Sequence, residues 1–349
     1  MDNDTIRIGF IGAGGIARQR HLPGLQKVAG VELVAVANQR LSSAEKVAKE
    51  YGFTRSTDDW EEVVDADDID AVFIAAPPYL HRDATLAALE TGKHVFCQAR
   101  MARDYSEAWE MYEAARRTNL VTMVCPPPHA LKGDYFVKKL LSDGYLGQLR
   151  EVHVHSLQDA YVNPETPLHW RQDAFISGYN TLFLGMLVEV LHRWAGYFGQ
   201  VTALKATHTP RRKKEGSVQE VAVGVADSLG IVGHMNNGAM AVFHFSGAVH
   251  FPGESRIELY GSKGTLIYYV SSNRILAAQA GEKELKPVEI PSDLIREWTA
   301  EADFISAIRT GAPVSPDFEE GLRYMEFTEA VYRSARLGQT VALPLEPES

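Results

Sequence analysis

The chain has 349 residues, of which 45% are hydrophobic and 23% are charged, and its formal net charge is -10. A chain of this length can bury a sizeable core and form two domains. The acidic balance argues against nucleic acid or an anionic membrane as the main partner, because both attract clustered Lys and Arg.

Local composition indicates a cytoplasmic protein with no membrane partner. Cys97 and Cys125 cannot form a disulfide framework and fit no metal motif, so we expect reduced thiols. The N-terminus lacks the pattern of a signal peptide, and no apolar stretch has the length of a membrane span. The one basic run, at residues 211–214, is flanked by Pro210 and Gly216, which predicts a solvated loop.

The first third of the chain alternates short apolar runs with helical patterns. Strands are predicted at residues 6–11, 32–37, 71–76, 94–97 and 121–125. Helices are predicted at residues 17–28, 43–51, 81–91 and 105–118. Apolar strands separated by helices predict a parallel sheet that is covered on both faces. Residues 1–125 are therefore expected to form a doubly wound α/β domain.

The remainder of the chain, residues 126–349, is expected to form an α+β domain. Strands that alternate apolar and polar residues are predicted at 150–157, 201–209, 222–234, 239–247, 255–261 and 264–270. Helices are predicted at 135–142, 297–308 and 319–337, and the last two can pack back on the first domain. This pattern predicts an open, mostly antiparallel sheet. A free apolar face of that size favours a homo-oligomer, dimer or tetramer, formed through this sheet.

A glycine-rich turn follows the first predicted strand. Gly12 allows a tight turn, Gly14 lets a pyrophosphate approach the backbone, and Ala17 permits close packing of helix on strand. Gly15 and Ile16 complete the turn into the helix. In this position the pattern predicts a dinucleotide site of the Rossmann type, with a purely structural turn as the alternative.

The end of the second predicted strand bears on the choice of cofactor. NAD-binding chains usually place a carboxylate there, on the adenosine ribose, whereas this chain has Asn38 and Arg40. Loss of the carboxylate removes repulsion toward a 2′-phosphate, and Arg40 adds a possible charged contact. NADP is therefore favoured over NAD, although Asn38 can still bond a ribose hydroxyl.

Seven short sequence motifs are spread along nearly the whole chain. They are DAVFIAAPP at 70–78, GKHV at 92–95, GYLG at 144–147, HWR at 169–171, RW at 193–194, YGSKG at 260–264 and DFISAIRTG at 303–311. Together they resemble the glucose-fructose oxidoreductase / inositol dehydrogenase (Gfo/Idh/MocA) family. The resemblance implies a Rossmann domain, a substrate-binding and oligomerisation domain, and nicotinamide-dependent chemistry on a sugar, cyclitol or related cyclic polyol.

The resemblance also implies cofactor contacts beyond the glycine turn. Pro77, Pro78 and His81 lie where the family's turn borders the nicotinamide-side ribose. A rigid turn that caps the following helix is the alternative interpretation. Gln98 stands where the family has a glutamate, and we expect it to bond the nicotinamide ribose.

The positions that carry the family's chemistry are altered. The family's Glu-Lys-Pro reads Gln-Ala-Arg at residues 98–100, so Ala99 replaces the lysine. With the Arg-Trp landmark as anchor, Phe183 replaces the family's aspartate and Leu187 its histidine. Removal of one positioned acid or base costs about 10² to 10⁴-fold in rate. The sequence therefore predicts a non-standard catalytic centre.

Other residues are candidates to take over these roles. His129 follows three prolines and is a candidate acid or base, Lys132 is a candidate cationic group, and Tyr179 is a third catalytic candidate. The residues expected to bind substrate are Arg100, Tyr161, Trp170, Arg171 and Asn180. For all of them, solvent-facing or structural roles are the alternatives.

No metal site is predicted. His153 and His155 point to one face of a predicted strand, and His244 lies on another strand of the same sheet. Because no local ligand motif includes them, packing on the sheet face is favoured over metal binding.

Three hypotheses for function remain open. The first is an NAD(P)-dependent oxidoreductase with a rebuilt centre. The second is a net non-redox lyase, glycosidase or epimerase that keeps its cofactor tightly bound. The third is a non-catalytic cofactor-binding, sugar-binding or partner subunit. The intact glycine turn favours an enzyme, while the apolar positions Phe183 and Leu187 keep the third hypothesis open.

Overall fold

The computed structural model describes residues 5–125, 131–180 and 182–346. The chain forms two compact units. The first comprises Met1–Pro127 and Thr299–Leu322, and the second comprises Pro128–Trp298 and Arg323–Ser349. Among the described residues, none of the helices has the length and apolar character needed to cross a membrane. The division of functions between residues 1–125 and 126–349 stays a prediction.

The first unit is built on a six-stranded parallel sheet. Its strands are β1 Ile6–Ile11, β2 Val31–Ala37, β3 Arg55–Thr57, β4 Ala71–Ile74, β5 His94–Cys97 and β6 Thr122–Val124. Their order is β3-β2-β1-β4-β5-β6, which is the order of a doubly wound Rossmann sheet. The predicted fold class is confirmed. The sequence missed β3, because three residues are too few to show a strand pattern.

The helices follow the predicted positions closely. They are α1 Leu22–Leu25, α2 Leu41–Tyr51, α3 Glu61–Val64, α4 His81–Glu90, α5 Tyr105–Ala115, α6 Asp134–Ser142, α7 Ala174–Ser177, α8 Leu184–Ala195, α9 Ala300–Thr310 and α10 Phe318–Leu337. Short 3-10 helices cover Pro78–Leu80, Trp170–Gln172 and Ser292–Leu294. The sequence predicted neither α3 nor α7. The first predicted helix is a π-helix over Ala17–His21 that continues into α1 and ends at Leu25.

A row of phenylalanines forms the centre of the first unit. Phe10 of β1 pairs with Phe73 of β4, which in turn pairs with Phe96 of β5. Their rings stack with centroids 5.7 and 4.5 Å apart, and Phe304 of α9 contacts Phe73 and Phe96 edge-on. Each such pair contributes about 0.5–1.5 kcal/mol beyond the apolar area that it buries. The row therefore stabilises the register that brings the carboxyl ends of β1, β4 and β5 side by side.

The second unit is built on a nine-stranded open sheet. Its strands are β7 Leu149–Leu157, β8 Phe198–Ala206, β11 Ser228–Met235, β12 Met240–Ser246, β13 Arg256–Gly261, β14 Gly264–Tyr269, β15 Ile275–Gln279, β16 Lys286–Val288 and β17 Val341–Ala342, while β9 Arg211–Lys213 and β10 Glu220–Ala222 form a separate pair. All neighbours in the large sheet are antiparallel except β7 and β12. This confirms the predicted mostly antiparallel sheet.

One face of this sheet is packed and the other is open. Val152 and Val154 of β7 are fully buried, and Phe327 of α10 packs its ring on Phe198 of β8 with centroids 4.6 Å apart. Most residues on the opposite face are partly or fully exposed, while Glu258 of β13 is 7% exposed. The large apolar side chains among them are Leu204, Val232 and Met240, which are 77%, 48% and 40% exposed.

The basic run at residues 211–214 is not the solvated loop that the sequence predicted. Arg212 lies in β9 and is only 1% exposed. Its guanidinium donates to the backbone carbonyls of Tyr161, Asn163 and Thr166. Three carbonyl acceptors replace the water that a buried guanidinium loses, so the charge is tolerated in the interior.

A buried charge network holds the helices of the second unit. The carboxylate of Asp134, at the start of α6, accepts two hydrogen bonds from Arg193 at 2.7 and 2.8 Å and one from the indole of Trp194 at 2.7 Å. It also pairs with Arg296, and Arg193 bonds Glu189 at 2.6 Å. Burial opposes ionisation, but Arg193 and Arg296 hold the pKa of Asp134 below its usual value. The carboxylate therefore stays ionised and compensates the buried guanidiniums.

Replacement of Asp134 should destabilise the second unit strongly. We expect Asp134→Ala to lower the free energy of unfolding by about 3–5 kcal/mol, because it leaves buried guanidiniums without their carboxylate. Asp143→Ala, near the end of the same helix, breaks only the exposed pair with Lys139 and should cost at most about 0.5 kcal/mol. Urea unfolding of both variants measures the difference. Equal effects would show that the buried network does not stabilise this unit.

Candidate functional site

The glycine turn has the geometry that a dinucleotide requires. Gly12 has φ of +85°, and a Cβ atom there would lie 2.3 Å from the backbone nitrogen of Ala76. Gly14 and Gly15 are exposed, and a Cβ on either would meet open space. Ala17 is fully buried at the start of the π-helix. The turn is thus packed on its inner side and open on its outer side, where a pyrophosphate would approach the backbone.

The residue at the end of β2 braces this turn. Asn38 Oδ1 accepts a hydrogen bond of 2.8 Å from the amide of Ala13, and its Nδ2 donates to Ser43 Oγ at 3.2 Å. Arg40, two residues on, is exposed. Asn38 therefore links the glycine turn to α2, while the guanidinium of Arg40 lies in solvent at the same edge. Ile16, within the turn, is 38% exposed.

The turn after β4 is braced by a buried histidine. Pro77 is half-buried, and Pro78 begins the 3-10 helix that leads into α4. His81 is 1% exposed, with Nε2 2.7 Å from the carbonyl of Ala76 and Nδ1 3.1 Å from the carbonyl of Arg100. Burial lowers its pKa, although the carbonyls oppose this shift. The ring thus ties two turns together, and contacts of Pro77, Pro78 and His81 with a cofactor stay a prediction.

A second buried histidine holds Gln98 at the end of β5. His21 is fully buried, with Nε2 2.6 Å from Gln98 Oε1 and Nδ1 2.6 Å from Glu301 Oε1. Its ring packs edge-on against Phe96, with centroids 5.2 Å apart. Gly24 makes room for the carboxylate, because a Cβ atom there would lie 2.5 Å from Glu301 Oε2. Glu301, His21 and Gln98 form one continuous chain of hydrogen bonds.

This chain of hydrogen bonds sets both a charge and an orientation. Burial disfavours a charged ring, but hydrogen bonds to Cys125 and Glu301 raise the pKa of His21 to about 10. With both ring nitrogens protonated, His21 donates to Gln98 Oε1 and to Glu301. The amide of Gln98 therefore turns its NH₂ group away from His21. A glutamine held in this way offers donors to ligand oxygens, where a glutamate would offer acceptors.

Ala99 and Arg100 follow Gln98 in the segment where the resemblance places the family's lysine. Ala99 is half-buried, and Arg100 is 7% exposed and so largely removed from solvent. The peptide bond between them is cis. The assignment of Arg100 to substrate binding stays a prediction.

The catalytic candidates lie in the second unit or beyond the described residues. His129 and the three prolines before it fall outside the described residues. Lys132 is exposed; its amide donates to Asn273 Oδ1 at 2.8 Å and its carbonyl accepts from Arg296. The ring of Tyr179 stacks on Tyr332 with centroids 4.3 Å apart. The catalytic roles of these residues stay predictions.

The substrate-binding candidates of the second unit are each held by local contacts. The Arg171 guanidinium lies over the ring of Trp170, 4.3 Å from its centroid. The ring of Tyr161 packs against Gly247, where a Cβ atom would come within 2.4 Å of it. Asn180 is 2% exposed and donates to the carbonyl of Ser177.

Phe183 and Leu187, which the resemblance aligns with the family's acid and base, lie at the start of α8. Phe183 precedes the helix and is 39% exposed, whereas Leu187 is 5% exposed. His192, near the end of the same helix, packs among aromatic rings. Its ring centroid lies 4.9 Å from that of Tyr197 and 5.8 Å from that of Phe198. Burial lowers the pKa of His192 to about 3, so its ring is neutral.

The sheet order and the glycine turn define the first unit as a dinucleotide-binding domain of the Rossmann class. Comparison with known families is more specific. Residues 6–125 match the oxidoreductase family model for the NAD-binding Rossmann fold, and residues 138–343 match the model for the family's C-terminal alpha/beta domain. The chain therefore belongs to the Gfo/Idh/MocA oxidoreductase family.

Similar proteins span almost the whole chain. Levoglucosan dehydrogenase of Pseudarthrobacter phenanthrenivorans is 28% identical, with 90% of this chain and 89% of that protein covered. The 1,5-anhydro-D-fructose reductase of Ensifer adhaerens is 27% identical, with 97% and 98% covered. A solved structure of levoglucosan dehydrogenase in complex with NADH and L-sorbose has a TM-score of 0.90 and 25% identity, with 97% of this chain and 99% of that chain covered.

Sequence reasoning missed His21 and Glu301. A polar pair separated by 280 positions leaves no local motif, because the partners meet only when α9 packs on the sheet. One signal was available, since His21 lies four residues from both Ala17 and Leu25 and so falls on the apolar face of the first predicted helix.

Two glycine substitutions should separate cofactor binding from folding. Gly14→Val adds a side chain into open space, so we expect it to weaken NADH binding by at least about tenfold, or about 1.4 kcal/mol, with little change in melting temperature. Gly12→Val collides with the backbone of Ala76 and should impair folding itself. Fluorescence titration with NADH and thermal unfolding distinguish the two. Unchanged NADH affinity in Gly14→Val would contradict the assignment of the turn.

The raised pKa of His21 predicts a stability that falls in alkaline solution. A folded pKa of about 10 against an ordinary value of 6.5 means that the folded protein binds the extra proton between these limits. The stabilisation is therefore complete below about pH 6.5 and is lost as pH rises toward about 10.

Glu301→Gln is the matched test of this linkage. The substitution keeps a polar side chain of the same size and removes the charge, so it lowers the folded pKa of His21. The alkaline decline should still begin near pH 6.5, but it should end at lower pH and be smaller in total than in the wild type. Urea unfolding at half-unit steps from pH 6 to pH 10 measures the shift. Identical pH profiles for variant and wild type would show that the Glu301 charge does not support the His21 proton.

Proposed function

We propose that this protein is an NAD(P)-dependent oxidoreductase that acts on a sugar, cyclitol or related cyclic polyol through a non-standard catalytic centre. The observation that carries the proposal is the glycine turn, which is open on the side where a dinucleotide binds and rigid on the other. Membership of the oxidoreductase family and the printed names of the relatives support the substrate class.

The carboxyl ends of β1, β4 and β5, here called the dinucleotide edge, carry the residues that suit a nicotinamide dinucleotide. Exposed Gly14 and Gly15 leave the backbone accessible to a pyrophosphate. When bound, the nicotinamide exchanges a hydride with a carbon of the substrate. The oriented NH₂ group of Gln98 donates to a hydroxyl oxygen at this edge, and the chain Glu301–His21 keeps that amide from rotating.

NADP is favoured over NAD as the cofactor. Asn38 and Arg40 replace the carboxylate that would repel a 2′-phosphate, and the Arg40 guanidinium is exposed at the end of β2. The NADH complexes of a relative support NAD as the alternative. Asn38 uses one oxygen lone pair and one amide hydrogen in its bonds to Ala13 and Ser43. Its second lone pair and second amide hydrogen remain for a ribose hydroxyl.

Oxidation of a hydroxyl also needs a group to take its proton. With alanine at position 99, that role passes to His129, Lys132 or Tyr179 in the proposed mechanism. The substrate is held by Arg100 and by the aromatic and polar residues of the second unit, which are Tyr161, Trp170, Arg171 and Asn180. Their different chemistries, a cation, aromatic walls and an amide, suit a polyhydroxylated ring.

A second candidate function rests on α8. Phe183 and Leu187 remove the acid and base of the family's helix, which favours a cofactor-binding or sugar-binding subunit without turnover. A net non-redox lyase, glycosidase or epimerase with tightly bound cofactor is the third candidate. The non-redox enzyme would form a product, whereas the non-catalytic subunit would not.

We further propose that the protein is a cytoplasmic homo-oligomer. Leu204, Val232 and Met240 leave an apolar area on the open sheet face, which self-association would cover. Cys97 and Cys125 are buried free thiols, in keeping with a reducing compartment.

Turnover assays test the proposed function directly. The protein is incubated with NAD⁺ or NADP⁺ and levoglucosan or myo-inositol, and with NADPH and 1,5-anhydro-D-fructose, while nicotinamide absorbance and product are followed. We expect a change in nicotinamide redox state with at least one substrate. Arg40→Ala should raise the KM for NADP⁺ about tenfold, the loss of one charged contact of about 1.4 kcal/mol, and leave that for NAD⁺ nearly unchanged.

Variants of the catalytic candidates assign the proton-transfer role. Loss of kcat by about 10² to 10⁴-fold in His129→Ala, Lys132→Ala or Tyr179→Phe would identify the group. Lys139→Ala, an exposed lysine of α6, is the control. Unchanged rates in all three variants would remove these assignments. Product without net nicotinamide change would indicate the non-redox function, and cofactor binding without any product would indicate the non-catalytic subunit.

A further inference from the structure

A cluster of ionisable side chains lies on the open face of the large sheet in the second unit. His153 and His155 are two residues apart on β7 and project to this face. Glu258 of β13 is directly opposite His153 in the strand register. One possible ligand atom from each residue lies within 4.8 Å of the other two. Strand pairing therefore brings two imidazoles and one carboxylate together.

The hydrogen bond between His153 and Glu151 leaves a lone pair of His153 facing a lone pair of Glu258. His153 Nε2 is 2.9 Å from Glu151 Oε2, so this nitrogen carries a proton and donates it to the carboxylate. In the neutral ring, Nδ1 is then an acceptor, and it faces Glu258 Oε2 at 3.8 Å. Two acceptors in this arrangement repel each other unless a cation or a second proton lies between them.

The hydrogen bonds of Glu258 leave room for a ligand on its carboxylate. Its Oε2 accepts a hydrogen bond of 2.7 Å from the hydroxyl of Tyr260. Arg256 bonds Oε1 of Glu258 at 2.5 Å, which leaves a lone pair on Oε2 for a ligand besides the bond from Tyr260.

We propose that His153, His155 and Glu258 form a binding site for one divalent transition-metal ion of the zinc class. Two imidazoles and a carboxylate are a ligand set that zinc and cobalt accept. Glu151 fixes the tautomer and orientation of His153, as outer carboxylates do for histidine ligands. Both histidines are half-buried in the single chain.

The geometry requires the ligand atoms, which lie within 4.8 Å of one another, to move closer by up to about 1.5 Å. Two ligands with bonds of about 2.0 Å at tetrahedral angles lie about 3.3 Å apart. The observed 3.8 Å between His153 Nδ1 and Glu258 Oε2 therefore closes by about 0.5 Å through side-chain rotation. The carboxylates of Glu151 and Glu258 outnumber the single guanidinium of Arg256, so the cluster attracts a cation. These ligands come from the second unit alone, and the proposal does not rest on the proposed redox function.

Metal titration of the tag-free protein tests the site. After chelator treatment and dialysis, the protein is titrated with Co²⁺, followed by visible absorption, and with Zn²⁺ in competition with a chromogenic chelator. We expect one equivalent of either ion. His155→Ala and Glu258→Gln should lower the affinity at least about tenfold, and Glu151→Gln should lower it about 10- to 100-fold through loss of the outer carboxylate.

A histidine of the same sheet face supplies the control. His234 is exposed on β11, and His234→Ala should bind one equivalent with wild-type affinity. Thermal unfolding of each variant confirms that it is folded. The proposal is overturned if the wild type binds no equivalent of either ion, or if His155→Ala and Glu258→Gln bind as tightly as the wild type. In the first case, NMR titration of a doubly protonated His153 ring would show that a proton occupies the position instead.

Discussion

The in-register parallel pairing of β1, β4 and β5 is the constraint on which the dinucleotide edge depends. Pairing of Phe10 with Phe73 and of Phe73 with Phe96 stacks three rings in the core, and the same register brings the carboxyl ends of the strands together. Gly12 and Gln98 follow two of these ends. A slip of one residue would move the phenylalanines of one strand to the other face of the sheet, break their stack and separate the turns, so packing and site geometry are stabilised by the same contacts.

A buried charge connects this core to the site. Glu301 keeps His21 protonated in an apolar environment, and His21 in turn orients Gln98. The arrangement converts a position where the family has a carboxylate into one that presents amide hydrogens. With alanine at position 99, a non-standard catalytic centre at this segment stays a prediction.

In the second unit, the residues that stabilise the fold are different from those of the candidate sites. Asp134 and its arginines hold α6 and α8 by buried ion pairs, while the face of α8 that usually carries acid and base is apolar. The open sheet face carries the polar cluster of His153, His155 and Glu258 beside exposed apolar residues. Family membership therefore describes the frame of this protein, and the residues set on that frame differ from the family's pattern.

The sequence by itself determined the fold class and the glycine turn, because each is written in local periodicity or in a short motif. The loss of the family's catalytic residues stays a prediction from the resemblance. The sequence also located most strands of both sheets, although β3, β15, β16 and β17 escaped detection, as did the separate pair of β9 and β10 with the buried Arg212. The tertiary structure alone decided which distant side chains meet. Glu301 reaches His21, and Glu258 faces His153, only after helix packing and strand pairing close gaps of 280 and 105 positions. Local patterns carry no information about such pairs, since their energies arise from burial and register and not from neighbours in the chain.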